Sequence, residues 1–332
     1  MIRSARPKGM SKRDFQLVER CWRRRRQREG VYPASRLPSL AGLGVRLSDD
    51  ELNNLVFLHH ENIDRLGSAI TNSAGKTLKD LISEEKAGAF SFLPANASEA
   101  LRGQRHADCA VVASGGGLQG ASLGRQIDKH DFIVRINQAP TTNSKTNVGS
   151  KTSLRLINNL WTQTYAKANL KRSEKGASGT PLETNVTVYV TRPSADDYMK
   201  LVRRSRQSRR NVGIRLVSSR VVSLVRDGIL TPFRDRMAEV GADELTVALL
   251  EGRNTPSSGL VAVFMMIQLC DRVTVYGFSG FNDGKYHYWK SNRQYQNRTH
   301  SFSVERALLR RLAHEGFLTF VEGNLHNIKS FV

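Results

Sequence analysis

The chain has 332 residues, enough for one large domain or two small ones with a substantial buried core. Its hydrophobic share of 39% and charged share of 24% exclude a wholly disordered chain. Fifty-one Lys and Arg against thirty Asp and Glu give a net charge of +21, which points to anionic partners: nucleic acid, anionic lipid or a negatively charged small substrate.

Residues 1–30 carry eleven Lys and Arg and three Asp and Glu, a local excess of +8, and read as a weakly ordered basic tail. Its run Arg23-Arg24-Arg25-Arg26 has only Trp22 as an aromatic neighbour, which is thin support for nucleic-acid binding. No apolar run approaches the roughly 18–20 residues of a membrane span. The longest, Gly259 to Leu269, is about half that, and no signal-peptide core is visible, so the sequence reads as soluble. Residues 31–105 hold helical fragments such as Asp49–Asn62, with no recognisable chemistry.

From Cys109 the pattern changes. Short β-rich runs occur at Cys109–Ala113, Phe132–Ile136, Val186–Val190, Gly213–Val217, Val273–Phe278 and Leu318–Val321. Helical stretches at Ser122–Lys129, Gly259–Cys270 and Ser303–His314 lie among them, and the polar segment Lys171–Glu183 reads as a loop. This alternation predicts an α/β fold with mainly parallel strands. A second basic cluster, Lys200 to Arg210, reads as a solvated helix face. The three cysteines, Cys21, Cys109 and Cys270, fit no zinc spacing and allow one bridge at most.

The first strand feeds the glycine turn Ser114-Gly115-Gly116-Gly117-Leu118-Gln119-Gly120. Such a turn lets a phosphate or ribose approach the backbone, and a helix behind it would offer N–H groups and a positive dipole end. Gly115, Gly117 and Gly120 also match the dinucleotide pattern G-x-G-x-x-G, the basis of an alternative reading as an NAD-dependent Rossmann-type oxidoreductase. That reading wants an acid at the end of the second strand, where this chain has Asn137; Asp131 sits at the strand's beginning.

The stretch from Cys109 to Asn158 resembles the long sialylmotif of eukaryotic sialyltransferases, glycosyltransferase family 29. Cys109, Leu118, Gly124, Ile127-Asp128, His130-Asp131, Arg135, Asn137, Ala139-Pro140 and Val148-Gly149-Ser150-Lys151-Thr152 carry the likeness. Many members have Asn in or beside the glycine turn, where this chain has Ser114 and Gly117. Further along, Pro256-Ser257-Ser258-Gly259, Leu269-Cys270-Asp271 and Val275-Tyr276-Gly277-Phe278 resemble the short motif. On residue type alone, Ser257 and Ser258 are an ordinary helix N-cap. Tyr286-His287-Tyr288-Trp289 resembles the third motif, with Lys290 where an acid is usual. His300 and Glu305 match the very short motif. The likeness runs over roughly residues 105–322 with the motifs in order.

The resemblance implies a Rossmann-like, GT-A-variant sheet flanked by helices, forming a single catalytic domain over residues 106–332. It implies a CMP-sugar donor and a glycan acceptor, inversion at the anomeric carbon, a Golgi setting and a bridge between Cys109 and Cys270. Sequons at Asn96, Asn185 and Asn297 are compatible with a lumenal chain. The donor sugar the resemblance implies is sialic acid or a related acidic keto-sugar such as Kdo. The donor-binding set carried over is Ser114, Gly115, Asn137, Ser257, Ser258, Gly259, Gly277 and Tyr288. An acceptor hydroxyl needs a base, and histidine suits neutral pH, which assigns His300. Its position before the helix Ser303–His314 favours an uncharged ring. The leaving phosphate gains charge and needs a donor, which assigns His287. Glu305 would orient a neighbour or cap the helix. The sequence has no Asp-x-Asp pair, and a CMP-sugar has one phosphate to neutralise, so no metal and no other cofactor is expected. No specific nucleic-acid partner is expected. The family's usual membrane anchor is not visible here, so membrane association would come from such an anchor or from the basic tail.

Overall fold

A computed structural model of the protein describes residues 34–85, 92–167, 183, 185–208, 212–240, 253–278, 287–289 and 299–322. The basic tail with Cys21, Arg209 and Arg210, most of the polar loop 171–183, Tyr286, Lys290 and the sequon at Asn297 lie outside the described residues.

Seven strands form one sheet: β1 (His106–Val112), β2 (Phe132–Ile136), β3 (Leu154–Ile157), β4 (Thr187–Val190), β5 (Gly213–Leu216), β6 (Cys270–Tyr276) and β7 (Thr319–Val321). Their order is β5-β4-β3-β2-β1-β6-β7, and every neighbouring pair is parallel. This is the Rossmann-like α/β architecture expected from the alternation of runs. The chain builds outward from β1 to β5, then returns to the other side of β1. The direction of winding therefore reverses between β1 and β6, and in open α/β sheets ligands bind beyond the carboxyl ends of the strands at such a switch point.

Both faces of the sheet are covered, so its central strands β1 to β4 are largely buried on both faces instead of alternating between buried and exposed. Within β1, Cys109 and Val111 join one core while Ala110 and Val112 join another on the opposite face, the period of two a strand imposes. The helix α4 (Ser258–Leu269) is buried at all twelve positions and packs beneath β1, β2, β3 and β6. A helix apolar all round belongs inside a core. It is preceded in sequence by α1 (Asp49–Leu55), α2 (Asn159–Lys167) and α3 (Ala195–Ser208), and followed by α5 (Phe302–His314). Cys270 ends α4, opens β6 and forms the expected disulfide with Cys109, with Cα atoms 6.2 Å apart.

Three elements differ from expectation. The helix predicted over Asp49–Asn62 ends at Leu55, because the next residues hydrogen-bond to the end of β5: Leu58 N–H to Leu216 O and Ser218 N–H to Val56 O, both 2.9 Å. Helical propensity loses there to tertiary pairing. The helix predicted over Ser122–Lys129 is one turn, Gly124–Ile127. β3 is absent from the predicted runs, since Arg155 interrupts its apolar pattern. Of the basic cluster on α3, Arg203 pairs with Glu85 and Arg204 donates to the Ala166 carbonyl, so that face is partly tied down.

Candidate functional site

The carboxyl ends of β1 and β6 meet at the switch point. Gly115 N–H donates to Gly277 O at 3.1 Å, and Ala113 N–H to Tyr276 O at 2.9 Å. Gly277 has φ +77°, and a Cβ there would lie 2.5 Å from Leu118 Cδ1 and 3.1 Å from the Ala113 carbonyl, so glycine is required twice over. The glycine turn leads into a single 3₁₀ turn, Gly116–Leu118, and not into a helix. The helix-dipole argument for this turn therefore fails, and so does the dinucleotide reading, which needs a long helix opening on the pyrophosphate.

A short segment lies along this turn. Gly115 and His287 form an antiparallel bridge, Tyr288 N–H donates to Ser114 O at 3.2 Å, and His287 Nδ1 lies 3.3 Å from the same oxygen. A carbonyl only accepts, so Nδ1 of His287 carries the hydrogen. Trp289 stacks on the His287 ring, centroids 4.4 Å apart. The Tyr288 hydroxyl donates to Pro140 O and its side chain is buried, so Tyr288 braces the glycine turn against the loop after β2. In that loop Asn137 adopts φ +50°, accepts Asn158 N–H through its side chain at 3.1 Å, and gives its carbonyl to Arg155.

The second group gathers at the start of α4. Ser257 caps this helix, accepting Leu260 N–H at 3.1 Å. The Glu305 carboxylate, from α5, takes Ser257 N–H at 2.7 Å and lies 2.5 Å from Ser257 Oγ. Of the two roles open to Glu305, it therefore serves a neighbour, the cap of α4. It is 2% exposed, and burial pushes its carboxyl up to about 7 against the opposing pull of the Ser257 hydrogen bonds. His300 bridges Asn254, and its Nδ1 lies 2.8 Å from Thr255 O. The carbonyl again fixes the hydrogen on Nδ1, which leaves the ring's basic lone pair on Nε2. Burial lowers the His300 pKa, the Thr255 contact opposes this, and the charge of Arg192 lowers it further. The uncharged ring expected from the helix start thus has burial as its main cause.

The two groups share an edge. Phe278, next to Gly277, packs so closely on the first turn of α4 that a Cβ on Gly259 would fall 2.8 Å from its ring. Ser114, Gly115, Asn137 and Gly277 thus lie just beyond a strand's carboxyl end, His287 and Tyr288 along the glycine turn, and Ser257, Ser258, Gly259, His300 and Glu305 at or around the start of α4.

Sequence reasoning gives no role to three arginines, of which it names only Arg135, as part of the long motif. Arg135 and Arg155 are fully buried. Arg135 donates to the Val148 and Lys151 carbonyls, and burial lowers its pKa to about 10. Arg155 donates to the Asn137 and Ala139 carbonyls and pairs with Glu183. Arg192, two residues past β4, reaches Ser258 Oγ with Nη2 at 3.4 Å. Much of the long motif is likewise scaffold: Asp128 accepts the Ser150 and Lys151 N–H groups, holding the turn at Gly149. Among the described residues no three His, Cys, Asp or Glu side chains converge as a metal-ligand set.

Over residues 57–317 the sequence matches glycosyltransferase family 29 (sialyltransferase). The chain belongs to that family. It is 32% identical over 176 residues to the mouse (Mus musculus) beta-galactoside alpha-2,6-sialyltransferase 1, covering 51% of this chain and 40% of the relative. It is 30% identical over 208 residues to sialyltransferase-like protein 1 of Oryza sativa subsp. indica, covering 62% and 52%. The chain thus spans about half the length of the curated relatives it matches. The fold is shared with the crystal structure of a mammalian sialyltransferase, with a TM-score of 0.52, 21% identity, and coverage of 93% of this chain and 96% of that one. Among the described residues no helix is long and apolar enough to cross a membrane.

Proposed function

We propose that this family 29 chain transfers an acidic keto-sugar, sialic acid or a relative such as Kdo, from a CMP-linked donor to a glycan hydroxyl with inversion. The cytidine monophosphate lies between the glycine turn and the start of α4. The acceptor oxygen attacks the anomeric carbon, its proton passes to His300 Nε2, and the bond from that carbon to the phosphate oxygen breaks. CMP leaves with the electron pair.

One observation carries this reading: a half-buried histidine beside the Ser257-Ser258 cap, its Nδ1 hydrogen directed at Thr255 O and its pKa lowered. A neutral ring with Nε2 as its basic atom is what a general base at neutral pH requires. His287 has the complementary task. Its Nδ1 hydrogen faces Ser114 O, so to donate to the leaving phosphate through Nε2 the ring must be the imidazolium. That cation opposes the negative charge that grows on the phosphate. A single phosphate leaves less charge to neutralise than a diphosphate, which favours a metal-independent reaction. The Cys109–Cys270 bridge suits an oxidising compartment, in keeping with a Golgi lumen.

Incubation with CMP-sialic acid and CMP-Kdo separately, each with a panel of galactosides, tests the reading by CMP release. Release with at least one donor and acceptor pair, unchanged by EDTA, is expected. No release from any pair would remove the transferase reading, and loss on chelation would remove the metal-free mechanism.

A further inference from the structure

We propose that Arg192 is a specificity-determining residue of this site, holding an oxyanion of the ligand, carboxylate or phosphate, between Ser258 and His300. The assignment deepens the transferase reading and rests on it.

Arg192 stands where few residues of its kind stand. Three carboxyl ends along the sheet are followed by a left-handed residue: Asn137 after β2, Gly277 after β6 and Arg192 after β4, with φ of +50°, +77° and +56°. Asn and Gly adopt that region readily, whereas a long side chain does so against a steric cost. The corner is fixed from both sides. Thr191 N–H donates to Ile157 O at 2.9 Å, and Ser194 caps α3 through a hydrogen bond from Asp197 N–H at 3.2 Å. Non-glycine residues held this way by their surroundings cluster at ligand sites.

The charge at the end of the side chain is also poorly answered. Arginine offers five N–H donors. Among the described residues its side chain makes the long hydrogen bond to Ser258 Oγ, and no carboxylate pairs with it. The acid nearest in effect is Glu305, whose two oxygens already serve Ser257. His300 adds no negative charge, and burial lowers the Arg192 pKa, the mark of a cation taken from water with little compensation. A half-buried cation with unused donors, beside a helix start and a neutral imidazole, is completed by an oxyanion, which a guanidinium binds in a two-point fork. A neutral hydroxyl would leave the charge unanswered.

Two sources could supply that oxyanion: the phosphate of the CMP moiety, or a carboxylate on the transferred sugar or on the acceptor. The test compares wild type, Arg192→Lys and Arg192→Gln. Cytidine and CMP are titrated calorimetrically, and KM is measured for a CMP-sugar donor and for neutral and carboxylate-bearing acceptors. In Arg192→Gln, affinity for the oxyanion-bearing ligand should fall at least about 10-fold, with cytidine unchanged and Arg192→Lys intermediate. A loss already present with CMP assigns the phosphate; a loss confined to donor or acidic acceptor, with CMP intact, assigns the carboxylate. Unchanged binding of every anion would overturn the assignment, as would a parallel loss that includes cytidine and lowers Tm. Wild type that binds no cytidine nucleotide and releases no CMP would instead defeat the transferase reading, and the assignment with it.

Discussion

The two sides of the proposed pocket are held by different forces. On the side of β1 and β6, the glycine turn, Gly277 and the His287–Tyr288 segment are joined mainly by backbone hydrogen bonds and by one glycine that admits no side chain. On the side of α4, the parts meet through ionisable side chains, buried or half-buried: Glu305 on Ser257, His300 on Thr255, and Arg192 close enough that its charge acts on both. The folding stability contributed by the glycine turn and Gly277 should therefore respond to shape and little to pH. The second side should respond to charge.

The largest effect expected from this contrast is on the backbone side. Gly277→Ala combines a left-handed φ with overlap on Leu118 and Ala113, and should cost about 2–4 kcal/mol of stability, read by urea unfolding. Its unfolding free energy should shift by the same amount at pH 5 and pH 7.5. A cost that varied with pH would blur the distinction.

On the charged side, Glu305→Ala strips the Ser257 N–H of its buried partner and should cost about 1–3 kcal/mol, measured the same way. The smallest effect is a slope. The Glu305 pKa stands at about 7 in the folded protein against an ordinary 4.5, so the folded state holds the proton more tightly than the unfolded one. Its contribution to stability is full below about pH 4.5 and is lost as pH rises through about 7. Glu305→Gln should flatten stability across that window, and an unchanged slope would show that another group titrates there.

The sequence was most legible where backbone conformation and apolar burial decide the structure. β1, β2 and β6 each hold a mainly apolar and β-branched run ended by glycine or a polar turn; the strand order that creates the switch point was visible only in the structure. The Cys109–Cys270 pairing followed from the family resemblance. It was least legible where a charge is buried. Arg155 broke the pattern of β3 because its guanidinium is satisfied by Glu183 and two carbonyls distant in sequence, which no spacing reveals. Arg192 did leave a signal: an Arg-Pro pair one residue beyond the run Val186–Val190, at a strand's carboxyl end, where α/β folds place their ligands. The roles of His300 and Glu305 were half legible. Residue type suggested a base and a support, but the burial that makes His300 neutral and Glu305 hard to ionise comes from packing.

The central claim is that a neutral His300 removes the acceptor's proton. Turnover and CMP affinity of His300→Ala, measured on one preparation across pH, address it most directly. The account predicts turnover lower by about 10²–10⁴-fold with CMP affinity unchanged. It also predicts a wild-type acidic limb below the ordinary histidine value of 6.5 that the variant lacks. Turnover close to wild type in His300→Ala, or an acidic limb that persists in it, would contradict the account.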